Sequence, residues 1–177
     1  MVMEKGIIVF RSKYGAARKY ARWLQEATGF SCVEMRDAGP ADMEEYETIV
    51  FCSGIYASGI AGLSFLKKNI DSWAGKKAAI FCIGASPYDK GALEEVRARN
   101  LTGSLQGVPL FYGRGAFDES KMGFIDRTLC KMLQKSVAKK DPDAYELWER
   151  ALMSSMGHGN DWTDKAYLRP LLDYIKA

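Results

Sequence analysis

The stretch Lys5–Ala21, KGIIVFRSKYGAARKYA, decides the fold. Ile7, Ile8, Val9 and Phe10 form an unbroken apolar run, the pattern of a short strand covered on both faces, as in a parallel sheet. The run breaks at Arg11-Ser12-Lys13-Tyr14-Gly15, after which Ala17, Tyr20, Ala21 and Leu24 recur at spacings of three and four, the mark of a helix with one apolar face. The order is therefore strand, tight hydroxyl-and-glycine loop, helix. A helix start presents unpaired N–H groups and the positive end of the helix dipole, which suits a phosphate. Gly15 lets the backbone turn sharply and approach a ligand. A plain structural turn uses the same residue types, so both readings stand at this point. The loop is neither the nucleotide P-loop nor the GxGxxG dinucleotide fingerprint.

Working outward, the same alternation repeats. The first helix is expected over Ala16–Ala27, stopping at Thr28-Gly29. A second strand is expected at Ser31–Met35, then a turn at Asp37-Ala38-Gly39-Pro40 and a short acidic segment over Ala41–Tyr46. Thr48–Ser53, TIVFCS, reads as a buried strand rich in β-branched and aromatic residues. Gly54–Gly62 reads as a loop of small residues, followed by a helix over Leu63–Ile70. Lys76–Ile83 is the next strand, Gly84–Gly91 the next loop, Ala92–Asn100 the next helix and Val108–Tyr112 the last strand. Strands separated by helical segments call for a parallel sheet with helices on both faces.

Beyond that unit lies an extra segment. From Glu119 to Lys139, Met122, Ile125, Leu129, Met132, Leu133 and Val137 fall on one helical stripe, with Arg127, Lys131, Lys135 and Lys139 on the opposite side. This predicts a basic amphipathic helix, which either packs on the core or docks on an anionic membrane surface or acidic partner. Asp141-Pro142-Asp143 predicts a helix start for Ala144–Met153. Thr163 is expected to cap a final helix from Asp164, with a kink at Pro170.

The composition narrows the function. At 177 residues the chain suits a single domain, 1–177, with a helical insertion over 113–156 before the last helix. The net charge of +3 is too mild to argue for nucleic acid. No apolar run approaches the length of a membrane span, and the N-terminus lacks a signal-peptide layout, so the expected compartment is the cytoplasm. Cys32, Cys52, Cys82 and Cys130 form no Cys-x-x-Cys pair and read as apolar fillers. His158 is the sole histidine and sits in a polar loop, which leaves no metal cluster to build.

In a doubly wound sheet of order 2-1-3-4-5, ligands bind beyond the carboxyl ends of the strands, between strands one and three. Three loops then converge: Ser12–Ala17, Gly54–Gly62 and Gly84–Asp89. The first suits a phosphate. The other two offer small residues, backbone N–H groups and one tyrosine each, Tyr56 and Tyr88, which together can hold a flat ring and its polar edge. Asp89 and Arg114 fall near the ring side without an assigned catalytic role.

The segments FRSKYGAARKYARWL, FCSGIYASGIAGLSFLKKN, YGRGAFDESKMGFIDRTLCKMLQK and TDKAYLRPLLDYI resemble the flavodoxin-domain family that includes menaquinone-dependent protoporphyrinogen oxidase. The similarity extends over nearly the whole chain. It implies an α/β, flavodoxin-like, doubly wound five-stranded parallel sheet, order 2-1-3-4-5, with an extra helical segment after strand five. It implies non-covalent FMN as cofactor, with the phosphate at Ser12, Lys13, Tyr14, Gly15, Ala16 and Ala17. The ring would lie between Gly54, Ile55, Tyr56, Ala57, Ser58 on one side and Gly84, Ala85, Ser86, Pro87, Tyr88 on the other. The implied activity is flavin-dependent oxidation or electron transfer, with quinone-linked protoporphyrinogen oxidation as one form and a redox partner protein, quinone or porphyrinogen as partner. Segment 119–139 would then make peripheral contact with the inner membrane face. One departure stands out: the family's phosphate loop ends in a small hydroxyl residue, and here that place holds Ala17. A flavin-free binding module on the same fold is the rival reading.

Overall fold

The computed structural model describes residues 5–177. Five parallel strands form the main sheet: β1 (Gly6–Arg11), β2 (Ser31–Glu34), β3 (Thr48–Tyr56), β5 (Lys77–Gly84) and β6 (Leu110–Arg114), in the spatial order β2-β1-β3-β5-β6. Between β3 and β5, the two-residue strand β4 (Gly59–Ile60) turns back antiparallel onto β3. The helices between strands are α1 (Ala16–Thr28), α2 (Pro40–Glu44), α3 (Leu63–Asn69) and α4 (Lys90–Asn100). The order and direction are those expected from the sequence, and α1 starts at Ala16 as its periodicity requires.

The sheet is apolar on both faces because its strands alternate between two cores. Ile7, Val9, Ile49, Phe51, Ile80 and Cys82 point to one side, where Met43 of α2, Leu66 of α3 and Trp73 meet them. Ile8, Val50, Cys52, Ala79 and Phe81 point to the other, against Ala17, Tyr20, Ala21 and Leu24 of α1. A one-residue slip would exchange the two sets. The register Val9↔Phe51 and Phe51↔Ile80 keeps matched side chains in line across the sheet. Gly29, at φ 73°, ends α1 and donates its N–H to the Gln25 carbonyl at 2.8 Å, the left-handed stop that glycine permits.

After β6 the chain leaves the sheet. Strand β7 (Ala116–Phe117) pairs antiparallel with β8 (Asn160–Asp161), and between them lie α5 (Phe124–Val137) and α6 (Leu147–Ser154). The last helix, α7 (Arg169–Lys176), returns to the α1 side, where Leu171 and Ile175 are buried.

Here several boundaries differ from expectation. Glu119–Lys121 is a separate single turn, and α5 begins only after Gly123. Asp141 caps a short turn at Pro142–Ala144, but the chain straightens at Tyr145 and α6 starts after Glu146, whose N–H donates to Glu149 Oε2 at 2.9 Å. At the C-terminus Asp164, not Thr163, is a cap, and of a single turn over Lys165–Leu168 that leads into α7: its carboxylate accepts the Ala166 N–H at 2.8 Å. Pro170 does not kink a helix but lies in the first turn of α7, where its missing N–H has no partner to lose.

Helix α5 does not seat its apolar stripe in the core. Ile125 is 72% exposed, Leu129 58% and Met132 63%, while Gln134 and Val137 are buried. The stripe turned inward is Asp126, Cys130, Gln134 and Val137. Its polar members find specific partners: Asp126 meets Lys13 and Tyr14, and Gln134 donates to Glu119. Those contacts orient the helix and leave its apolar side outward. Arg127 is half-buried and donates to the carbonyls of Glu119, Ser120 and Met122, so it ties the preceding turn rather than extending a basic face. No helix among the described residues is long and apolar enough to cross a membrane.

Candidate functional site

The carboxyl ends of β1, β3 and β5 open into one cleft of about 1180 Å³. It lies at the switch point where the winding direction changes, the usual ligand position in such sheets.

The first wall is the turn from β1 to α1. Ser12, Lys13, Tyr14, Ala16 and Ala17 line the cleft. Gly15 is the N-cap of α1 at φ 101°, a conformation that favours glycine, and open space surrounds the place of a Cβ there. Ser12 Oγ accepts the Gly15 N–H at 3.1 Å and closes the turn. Ala17 is 4% exposed, packed in the α1-side core while bordering the cleft. The loop carries one cation and no carboxylate of its own.

A carboxylate reaches it from elsewhere. Asp126 of α5 accepts hydrogen bonds from both Lys13 Nζ and the Tyr14 hydroxyl. The Lys13 ammonium, followed by the Tyr14 hydroxyl, holds the Asp126 carboxyl below the usual range. Asp126 in turn raises the Lys13 ammonium. The Tyr14 phenol is pushed up, first by burial and then by Asp126. This donor set already draws an anion, which is the chemistry a phosphate monoester needs.

The second wall is a hairpin, not the loop expected at Gly54–Gly62. β3 runs on to Tyr56, and Ile55 pairs with Ile60 and Tyr56 with Gly59. The turn is therefore Ala57-Ser58, at φ 48° and 64°. Positive φ at both central residues is what a two-residue hairpin turn demands, usually of Asn-Gly. Gly54, Ile55, Tyr56, Ala57 and Ser58 all line the cleft. A Cβ on Gly54 would sit 2.8 Å from the Tyr56 hydroxyl, so the ring folds back over the strand only because Gly54 has none.

The hairpin is fixed from behind by Asn100, the buried last residue of α4. Its Nδ2 donates to the Ser58 carbonyl at 2.8 Å and to the Val96 carbonyl at 2.7 Å; its Oδ1 accepts the Ile60 N–H at 3.0 Å. Every polar atom of that amide is thus used, as burial demands.

The third wall follows β5. Gly84, Ala85, Ser86 and Pro87 line the cleft. Tyr88 does not: it is 55% exposed, with its ring 6.2 Å from that of Tyr112. β6 and the residue after it pin this loop by its carbonyls. The Tyr112 hydroxyl donates to Ser86 O, Arg114 Nε donates to Ala85 O at 2.9 Å, and the Gly115 N–H to Gly84 O at 2.7 Å. Burial drives the Tyr112 phenol far above its ordinary pKa. Arg114 also stacks on Trp162, its guanidinium carbon 4.0 Å from the ring centroid, so its role is to hold the loop. Asp89 borders the cleft and caps α4, accepting the Ala92 N–H at 2.8 Å.

The far wall comes from the excursion after β7. Leu129 and Leu133 of α5, and Leu147, Trp148 and Leu152 of α6, continue the cleft as an apolar surface. Asn100, Tyr112, Asp126 and these apolar residues are absent from the site read in the sequence. No short motif marks them, because each reaches the site through tertiary packing. Of the cysteines, Cys52 and Cys82 are buried and Cys32 and Cys130 partly so, all with free thiols. His158 is exposed, and no metal-ligating cluster exists among the described residues.

A family model of the flavodoxin domain matches residues 7–145. No curated protein matches the chain. Among solved structures, a flavodoxin from the domain Archaea is 18% identical over 76% of this chain and 96% of its own, at a TM-score of 0.46. The Trp repressor binding protein from Bacillus subtilis is 16% identical over 63% of this chain and 83% of its own, at 0.44. A Fusobacterium nucleatum flavodoxin variant bound to flavin mononucleotide is 12% identical over 61% of this chain and 68% of its own, at 0.37.

Proposed function

The chain belongs to the flavodoxin domain family, and on that premise we propose that it binds FMN non-covalently and works as an oxidoreductase or electron carrier. One observation carries the proposal: the three loops named from the sequence border a single cleft at the switch point of the sheet. The Ser12–Ala17 turn would hold the phosphate through backbone N–H groups at the start of α1 and through Lys13. The hairpin at Gly54–Ser58 and the loop at Gly84–Pro87 would present backbone groups to the edge of the ring. The bound flavin supplies the one- or two-electron chemistry. The chain's own part is to orient the ring and to exclude water. Asn100 on one side, and Tyr112 and Arg114 on the other, keep the two ring-side walls in place before any ligand arrives.

The test is a titration of FMN fluorescence with purified protein. Saturable quenching at micromolar protein is expected. No quenching in that range overturns the proposal and leaves the flavin-free binding module, which the loss of a hydroxyl at Ala17 favours.

A second reading rests on the apolar far wall. The cleft continues past the cofactor loops to Leu129, Leu133 and Trp148, which supports a large apolar substrate beside the ring. Quinone-linked oxidation of protoporphyrinogen, the activity implied by the sequence resemblance, is a reaction of that kind. The outward apolar side of α5, with Lys131 and Lys135 near it, would bring the site to an anionic membrane surface. Pure protein should oxidise protoporphyrinogen only when a quinone is supplied. It should also sediment with anionic vesicles, and charge reversal at Lys131 and Lys135 should abolish that binding. Wild type that stays in the supernatant ends the membrane part of this reading.

A further inference from the structure

We propose that Asp126 is a built-in competitor for the cofactor phosphate, so that FMN binding must detach the first turn of α5 from the phosphate loop. The inference rests on the cofactor reading above and goes beyond it, because it concerns a residue outside the loop, on a helix the minimal fold does not need.

The argument starts from donors. Tyr14 has one hydroxyl proton, and it goes to Asp126. That proton cannot also serve a phosphate oxygen. Lys13 is the loop's only cationic side chain, and its ammonium is paired with the same carboxylate. A phosphate monoester arriving at the start of α1 would thus meet a carboxylate that already takes the Tyr14 proton and shares the Lys13 ammonium. Two anions around one lysine leave negative charge uncompensated, which disfavours their coexistence. One of them must withdraw.

The protein is arranged for Asp126 to be the one. The loop is tied to the body of the sheet through β1 and α1, and its turn is closed by the Ser12–Gly15 bond. The start of α5 stands outside the sheet, with Phe124 85% and Ile125 72% exposed. Farther along, α5 is held at Gln134 and Val137, which are buried. The helix can therefore yield at its N-terminal end while keeping its seat at the other. Occupancy of the phosphate site would then be reported at α5 and at the apolar wall it lends to the cleft.

The experiment compares FMN with riboflavin, which lacks the phosphate, on wild type and Asp126→Asn, by fluorescence quenching. The substituted amide carries no negative charge but keeps the side-chain volume. Removing the competitor should tighten FMN about tenfold and change riboflavin affinity less than about twofold. In parallel, amide exchange of wild-type residues 124–128 should accelerate on saturation with FMN. If wild type binds FMN and D126N binds it equally or less well, Asp126 supports the loop instead, and the proposal falls while the cofactor reading stands. Unchanged exchange over 124–128 on FMN saturation overturns it as well, even where D126N does not fold. If neither protein binds FMN, the cofactor reading falls and this inference falls with it.

Discussion

Asn100 and Ser58 join α4 to the tip of the hairpin: the buried amide of Asn100 donates to the Ser58 carbonyl at 2.8 Å, across 42 positions of chain. The same side chain accepts from Ile60, so one residue sets both the position and the tilt of the wall expected to meet the ring. Asn100→Ala leaves the Ile60 N–H without its acceptor, at a cost of about 1–3 kcal/mol. Urea denaturation should read that loss. FMN affinity should fall in the same variant by roughly an order of magnitude, and Asn100→Asp should lose at least as much stability, because its buried carboxylate would face the Ser58 and Val96 carbonyls.

The hairpin turn stores strain. Ala57 and Ser58 both have positive φ, which L-residues adopt at a cost of about 1–2 kcal/mol each. Ser58→Gly should therefore raise stability by about 1 kcal/mol, read as a shift of the denaturation midpoint at unchanged slope. A destabilised variant would show that the Ser58 side chain contributes more than its backbone strain removes.

Ala17 borders the cleft, at the place where the sequence resemblance implies a small hydroxyl. Ala17→Ser should restore one hydrogen bond to a charged acceptor, worth about 1.5–3 kcal/mol, and so tighten FMN by roughly tenfold or more. Riboflavin should not follow. Equal gains for both ligands would mean that the new hydroxyl acts on the ring side or on folding, not on the phosphate.

Asp161 supplies a pH test of the excursion's anchorage. Burial alone would raise its pKa, but Lys19 at 2.8 Å and the hydroxyl and N–H of Thr163 outweigh it and bring the carboxyl down to about 2. A depressed folded-state pKa adds stability above the unfolded value of 3.8 and loses it as pH falls toward about 2. The stability difference between wild type and Asp161→Asn should thus be full at about pH 6 and shrink between about pH 4 and 2. Because the pair is half exposed, the difference stays within about 1 kcal/mol. A difference that grows on acidification would contradict the assignment.

The parts of this molecule that can be read locally were legible. Ile7–Phe10 announces a strand buried on both faces, and Ala17, Tyr20, Ala21 and Leu24 form the inward face of α1. The parts that depend on distant partners were not. The hairpin after β3 hides because its turn is Ala-Ser, without the Asn or Gly that usually betrays one. The orientation of α5 hides because the most apolar stripe is not the buried one; Asp126 and Gln134 fix the helix through polar contacts that periodicity cannot weigh. Tyr14 and Asp126 are 112 positions apart, beyond any spacing rule. Asp89 borders the cleft and Arg114 stands behind its third wall, and the bonds of both hold loops and caps.

The β7–β8 pair brings Ala116 beside Asp161 and Phe117 beside Asn160. Everything between therefore leaves and rejoins the parent architecture through one gate, the two chain ends only about 5 Å apart. Such a gate makes the excursion a cassette. Lengthening, swapping or trimming 118–159 need not disturb the strands beneath, so a lineage, or an engineer, can change what approaches the sheet's ligand without redesigning the sheet.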